Sequence, residues 1–223
     1  MRATLGRWGV LPPDAPASAV KERLGLRVVK AIAPEADPAR ALGHFFAENR
    51  CDLLVLATHA REGFARLLHG SIAETLARQV DGPSLLLPLG GRGFVDAARG
   101  TTQLKSILVP VDRATPPKDA VSLALRMADA LGCGDALAHT LHVGALDEAP
   151  VVAVDARHEP RLHQLTGEGE VVPAILDAAT RVDADLIVMA TRGHDRLLDA
   201  LRGSTTERVL HHAGRAVLAV PVA

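Results

Sequence analysis

An internal repeat constrains this chain more than any other feature. Setting Asp52 on Asp185 gives an offset of 133 residues that holds without a gap to Pro88 on Pro221, and eleven of the 37 aligned positions (52–88 against 185–221) are identical. "CDLLVLATHAREGFARLLHGSIAETL" lies on "ADLIVMATRGHDRLLDALRGSTTERV", with Gly70-Ser71-x-x-Glu74 in register with Gly203-Ser204-x-x-Glu207. Helical propensity alone does not keep such a pattern aligned, so the chain is a tandem duplication. Carried backwards, the offset sets Met1 on Gly134, and the first copy has no counterpart of residues 103–133. It is expected to lack one strand and one helix that the second copy has.

The local pattern gives the class of fold. "SILVPVD" (106–112), "ADLIVMAT" (184–191) and "RAVLAVPV" (215–222) are too apolar for half-exposed strands and read as strands buried on both faces. Between them "KDAVSLALRMADALG" and "EVVPAILDAATRVD" have helical spacing, with Gly132 as a C-terminal cap of the first. Strand alternating with helix predicts an α/β fold with a parallel sheet. The expected division is a truncated first domain over 1–89, a linker over 90–102 and a complete domain over 103–223. The clustered glycines of "LGGRGFVDAARGTTQ" (89–103) read as a flexible linker.

With 48% hydrophobic and 23% charged residues the chain can bury a full core. A net charge of −1 gives no electrostatic footprint for nucleic acid or an anionic membrane, and 2% aromatics without tyrosine leave little for stacking bases. No apolar run approaches the ~20 residues of a membrane span, and none at the start suits a signal peptide. Cys51 and Cys133 stand far apart and read as free, at least partly buried thiols. The expectation is a soluble cytoplasmic protein.

The order "KSILVPVD", "LHV" (141–143), "ADLIVMATRG", a nine-residue interval, "GSTTERVL" and a final "AVLAVPV" resembles the universal stress protein family. The likeness spans about residues 103–222 in the second copy and about 27–89 in the first. It implies two domains of the adenine nucleotide alpha hydrolase-like type. Each would be a parallel sheet of order 3-2-1-4-5 flanked by helices, the first lacking its first strand and helix. It further implies that the last strands of the two domains pair antiparallel, so that "PSLLLPL" meets "AVLAVPV". ATP-binding members of that family resemble Gly-x-x-Gly, nine residues, Gly-Ser/Thr, with an Asp ending the first strand. Asp112, Gly193, Gly203 and Ser204 match this pattern, while Ala190 stands where the first Gly belongs. In the first copy Ala57 and Ala60 replace both leading glycines, and Gly70 and Ser71 remain.

The resemblance thus points to a stress-response regulatory protein with ATP or a related adenine nucleotide, accompanied by Mg2+, at Asp112, Ala190, Gly193, Gly203, Ser204 and Thr205. Glycines permit close backbone approach to phosphates at a helix start, and the hydroxyls of Ser204 and Thr205 add hydrogen bonds. The alternative is a scaffold for interaction or dimerisation that binds no nucleotide. Ser204-x-x-Glu207 and Ser71-x-x-Glu74 are also capping boxes, and Asp112 also suits the opening of a turn. At Ala190 the added methyl is tolerable if φ is negative and costs about 1 kcal/mol or more if it is positive.

Other chemistry finds little support. His211 and His212 sit near a helix end, His139 and His142 fall on opposite faces of a strand, and His158 and His163 read as loop residues, with no closed metal-ligand set. No nucleophile has a base and orienter at motif spacing, and "LGGRG" lacks the Lys-Ser/Thr of a Walker loop. Binding is therefore expected rather than catalysis, weak ATP hydrolysis aside, and the protein is expected to form homo-oligomers, in the simplest case a dimer.

Overall fold

The apolar runs of the second copy form the middle of a single seven-stranded sheet. The computed structural model describes residues 1–30, 45–46, 48–49, 51–58, 82–88, 90–115, 117–192 and 205–222. The strands of the sheet are β1 (Leu54–Thr58), β2 (Ser84–Pro88), β5 (Ser106–Pro110), β6 (Leu137–Val143), β7 (Leu162–Gly167), β8 (Leu186–Arg192) and β9 (Ala216–Val222). A separate two-stranded hairpin holds β3 (Val95–Asp96) and β4 (Thr101–Thr102). The described helices are α1 (Arg2–Arg7), α2 (Ala19–Leu24), α3 (Lys118–Ala130), α4 (Val171–Arg181) and α5 (Thr205–Ala213).

In space the large sheet runs β1-β2-β9-β8-β5-β6-β7. The second copy therefore reads 3-2-1-4-5, all parallel, with β5 at its centre. Ile107, Leu108 and Val109 of β5 are fully buried because helices cover both faces. α3 lays Ala120, Val121, Ala124, Leu125 and Ala128 on one face, a stripe at helical spacing. α4 and α5 cover the other with Val172, Ile175, Ala178, Val209 and Leu210. Each buried Leu, Val or Ile contributes roughly 1.5–3 kcal/mol. Gly132, at φ +73, takes the left-handed conformation just past α3, where a helix end favours glycine.

The first copy joins this sheet through its last strand. β2 pairs antiparallel with β9 in the register Ser84↔Ala219, Leu85↔Leu218 and Leu86↔Val217. The repeat offset carries β1 onto residues 187–191 of β8 and β2 onto 217–221 of β9, so the duplication seen in sequence is preserved in structure. Among the described residues the first copy supplies no equivalent of β5. The positions equivalent to β6 are 4–10, and they carry most of α1 and a turn at Trp8 and Gly9. A parallel strand needs a neighbour to satisfy its backbone, and without one the local helical preference prevails. The helix expected after β1, with Ser71 and Glu74, lies outside the described residues.

The segment expected as a flexible linker is ordered. Its hairpin is anchored by buried Phe94 and followed by buried Leu104, both packed on the α3 side of the sheet. Asp96 accepts hydrogen bonds from the N–H groups of Ala98 (2.8 Å) and Arg99 (3.1 Å), closing the turn. The Trp8 indole N–H donates to Ala97 O at 2.9 Å, and its ring lies against Gly100. Arg92 bonds Asp183 and, at 2.7 Å, the buried Asp185. Glycine spacing suggested flexibility, but contacts 89 to 93 residues away in sequence decide the outcome.

Candidate functional site

β5 marks the point where the strand order reverses, since its neighbours β6 and β8 lie on opposite sides. Ligands of open α/β sheets bind outside the carboxyl ends of strands at such a point. A pocket of about 320 Å³ opens there. Its walls come from the ends of β5 (Pro110 to Asp112), β6 (Leu141 to Val143) and β8 (Met189 to Thr191), and from the first turns of α4 and α5.

Three of the six residues expected at a nucleotide site meet in this pocket. Asp112 follows β5, Ala190 lies in β8 and Thr205 opens α5. Gly193, Gly203 and Ser204 lie outside the described residues. Asp112 is exposed, and its Oδ1 accepts the Thr115 N–H at 2.6 Å, so it also closes the turn after the strand. Ala190 pairs with Val220 inside a regular parallel ladder. Asp183 is the only non-glycine with positive φ among the described residues, so Ala190 is extended and its methyl causes no backbone strain.

Four threonines, together with His142 and Asp112, give the pocket a mixed polar and apolar lining. Thr115, Thr191, Thr205 and Thr206 line the pocket with Val111, Leu141, Val143, Ile175 and Met189. Thr191 donates to Val220 O at 3.3 Å. His142 Nδ1 lies 3.3 Å from Val111 O, while Nε2 is buried with no protein hydrogen-bond partner among the described residues. Asp112 is the only carboxylate among the lining side chains described, and none of them is Lys or Arg. Such a surface can hold a flat, partly apolar molecule with hydroxyl or amine groups. Val143, Met189 and Thr206 were not singled out in the sequence, although each sits beside a residue or motif that was.

Groups with displaced titration lie elsewhere and mark structural joints. Hydrogen bonds from His158 and then Arg161 hold the Asp129 carboxyl below its usual range. His158 Nε2 stands 2.8 Å from one Asp129 oxygen and Arg161 Nη1 2.5 Å from the other, which ties the loop before β7 to the end of α3. His158 is buried, and His163, expected in a loop, belongs to β7 because its backbone pairs with His139. The hydrogen bond from Arg92 lowers Asp183 and, reciprocally, raises Arg92. Asp185 Oδ2 accepts the N–H groups of Lys105 (2.8 Å) and Ser106 (3.1 Å). The aspartate that anchors the repeat alignment thus fastens the start of β5, while its counterpart Asp52 is exposed. Among the described residues no group of three or more His, Cys, Asp or Glu is arranged to hold a metal ion, and no helix is long and apolar enough to cross a membrane. Both cysteines are free and partly buried.

Comparison with known proteins agrees with this architecture. The profile described as the universal stress protein family matches residues 11–88 and 135–221. A universal stress protein from Archaeoglobus fulgidus superposes with a TM-score of 0.62 at 20% identity, over 90% of this chain and 71% of that one. A second structure, assigned to the same proteins in Pseudomonas aeruginosa, gives 0.57 at 19% identity over 92% and 75%. A universal stress protein solved in complex with cAMP matches 54% of this chain and 98% of its own at 20% identity, with a TM-score of only 0.40. At these identities the likeness concerns the fold. No curated protein matches the chain.

Proposed function

This chain belongs to the universal stress protein family, and from that premise we propose that it is a stress-response regulatory protein that binds ATP or a related adenine nucleotide in its second copy. The observation that carries the reading is the pocket at the β5–β8 reversal, where Asp112, Ala190 and Thr205 meet around an apolar slot. In this reading the base and ribose occupy the slot, with Asp112 and the threonine hydroxyls as hydrogen-bonding partners. The phosphates lie towards the start of α5, where free N–H groups and the helix dipole favour negative charge. Gly193, Gly203 and Ser204 complete that end on sequence grounds, and Mg2+ accompanies the triphosphate. The extended backbone at Ala190 supports the proposal, because the departure from the family pattern adds a methyl without strain. In this reading binding acts through the 190–204 segment, which a partner reads.

One observation favours the alternative of a scaffold without nucleotide. Lys and Arg are absent from the described side chains that line the pocket, and Asp112 already has a turn to close. Calorimetry with MgATP, ADP and cAMP on the wild type, Asp112→Ala and Gly203→Val separates the two. Binding near one site per chain, weakened at least tenfold (about 1.4 kcal/mol) in each variant, is expected. A ligand at a hundred times its Kd should also raise stability by about 2.7 kcal/mol. Neither heat nor a thermal shift with any of the three would leave the scaffold reading.

A further inference from the structure

β1 has the sequence of an interior strand and, among the described residues, the position of an edge strand. Leu53 and Val55 are 41% and 52% exposed, whereas their repeat counterparts Leu186 and Val188 are 0% exposed. The side chains are the same and only the surroundings differ. In the second copy β5 pairs along the far side of β8, and α3 covers the face on which Leu186 and Val188 lie. On β1, β2 is the only strand partner among the described residues.

The direction of the backbone groups follows from one hydrogen bond. Leu54 N–H donates to Pro83 O at 3.0 Å, on the side of β2. Successive residues of a strand alternate, so the N–H and C=O of Val55 and Ala57 point to the opposite, open edge. Natural edges are usually blunted by charge, proline or a bulge. The opposite edge of this sheet follows that rule in part, since β7 presents His163, Gln164 and Thr166 to solvent. β1, reading "LVLAT", carries no charge and no proline.

We propose that β1 is a homodimerisation edge, where two copies of this chain pair β1 against β1 in antiparallel fashion about a twofold axis. The edge is self-complementary: the outward N–H and C=O groups of Val55 and Ala57 meet the same groups on the other copy. The twofold axis also keeps Leu53 and Val55 of both copies on one face, so the two apolar stripes abut, each cross-strand pair adding to the joint. The result is one continuous sheet built from both chains. This surface is distinct from the β2–β9 joint, which is already closed within each chain, and it does not depend on nucleotide binding.

The test is the mass of the full chain by size exclusion with light scattering across a dilution series, for wild type, Val55→Lys and Ala57→Pro. Ala57→Pro removes one outward N–H and leaves those facing β2, a setting in which a strand accepts proline. Val55→Lys places a charge on the apolar stripe. Twice the chain mass is expected for the wild type and a single mass for both variants, with far-UV circular dichroism unchanged. A wild type that is monomeric throughout the series overturns the proposal. So does a dimer that persists in both folded variants, and if Ala57→Pro loses its far-UV signal, Val55→Lys decides alone.

Discussion

His139 and His163 face each other across β6 and β7, with rings stacked at 5.5 Å between centroids. Burial first, and then the neighbouring His163, pushes the His139 imidazolium below its ordinary pKa of 6.5. The sign of the effect follows from linkage. As pH falls through about 6.5 the unfolded chain takes up a proton at this position while the native state resists it. The stabilisation is complete above that pH and is lost progressively below it, down to the depressed native value. A series of thermal melts from pH 8 to about 5 should show the midpoint falling in the acid half, and His139→Phe should flatten that fall. An unchanged slope in the variant would place the acid sensitivity elsewhere. At this scale the sequence was informative about identities and silent about surroundings. Asp112 was visible as a residue ending a strand, but its bond to Thr115 N–H was not. Whether Ala190 is strained depended on φ, which no residue type declares.

Among the elements, the strands of the second copy were legible because their apolar runs are long and branched, and α3 and α4 because their buried residues recur at helical spacing. The hairpin of β3 and β4 was not. Its glycines resemble those of a linker, and what orders it is a set of distant partners: Trp8, Asp183 and Asp185. Gly100 shows how tightly one of these fits. It lies at φ +71, and a Cβ there would stand 2.3 Å from Trp8 Cδ2, well inside van der Waals contact. Gly100→Ala should therefore displace the indole and cost about 1 kcal/mol or more. Trp8 is the only tryptophan in the chain, so its fluorescence should shift to the red on exposure. A spectrum identical to the wild type would mean that the N-terminal segment is not seated on the hairpin.

For the molecule as a whole, β2 and β9 decide how the two copies behave. Their antiparallel ladder puts both copies into one sheet, and Arg92 reinforces it by bridging the hairpin to Asp183 and Asp185. Among the described residues the first copy gives the sheet only β1 and β2, which alone would be a two-stranded ribbon, marginal in water at best. The first copy thus depends on the second for its order. Scanning calorimetry should show one transition with calorimetric and van't Hoff enthalpies in agreement, and two resolved transitions would contradict this coupling. The overall plan was readable because duplication places two sets of signals at one offset. The coupling was legible only through the family resemblance, which implied that "PSLLLPL" meets "AVLAVPV" as β2 and β9 do, since a repeat by itself says that two units exist but not where they touch.

The ladder between β2 and β9 also has an evolutionary side. When two identical subunits meet across a twofold axis, every mutation is felt twice, once on each side of the joint. Within a single chain the two sides mutate independently. Ala60 can stand in one half at the position where the other half keeps Gly193. The fused joint thus lets the residues of one half change without the same change appearing in the other.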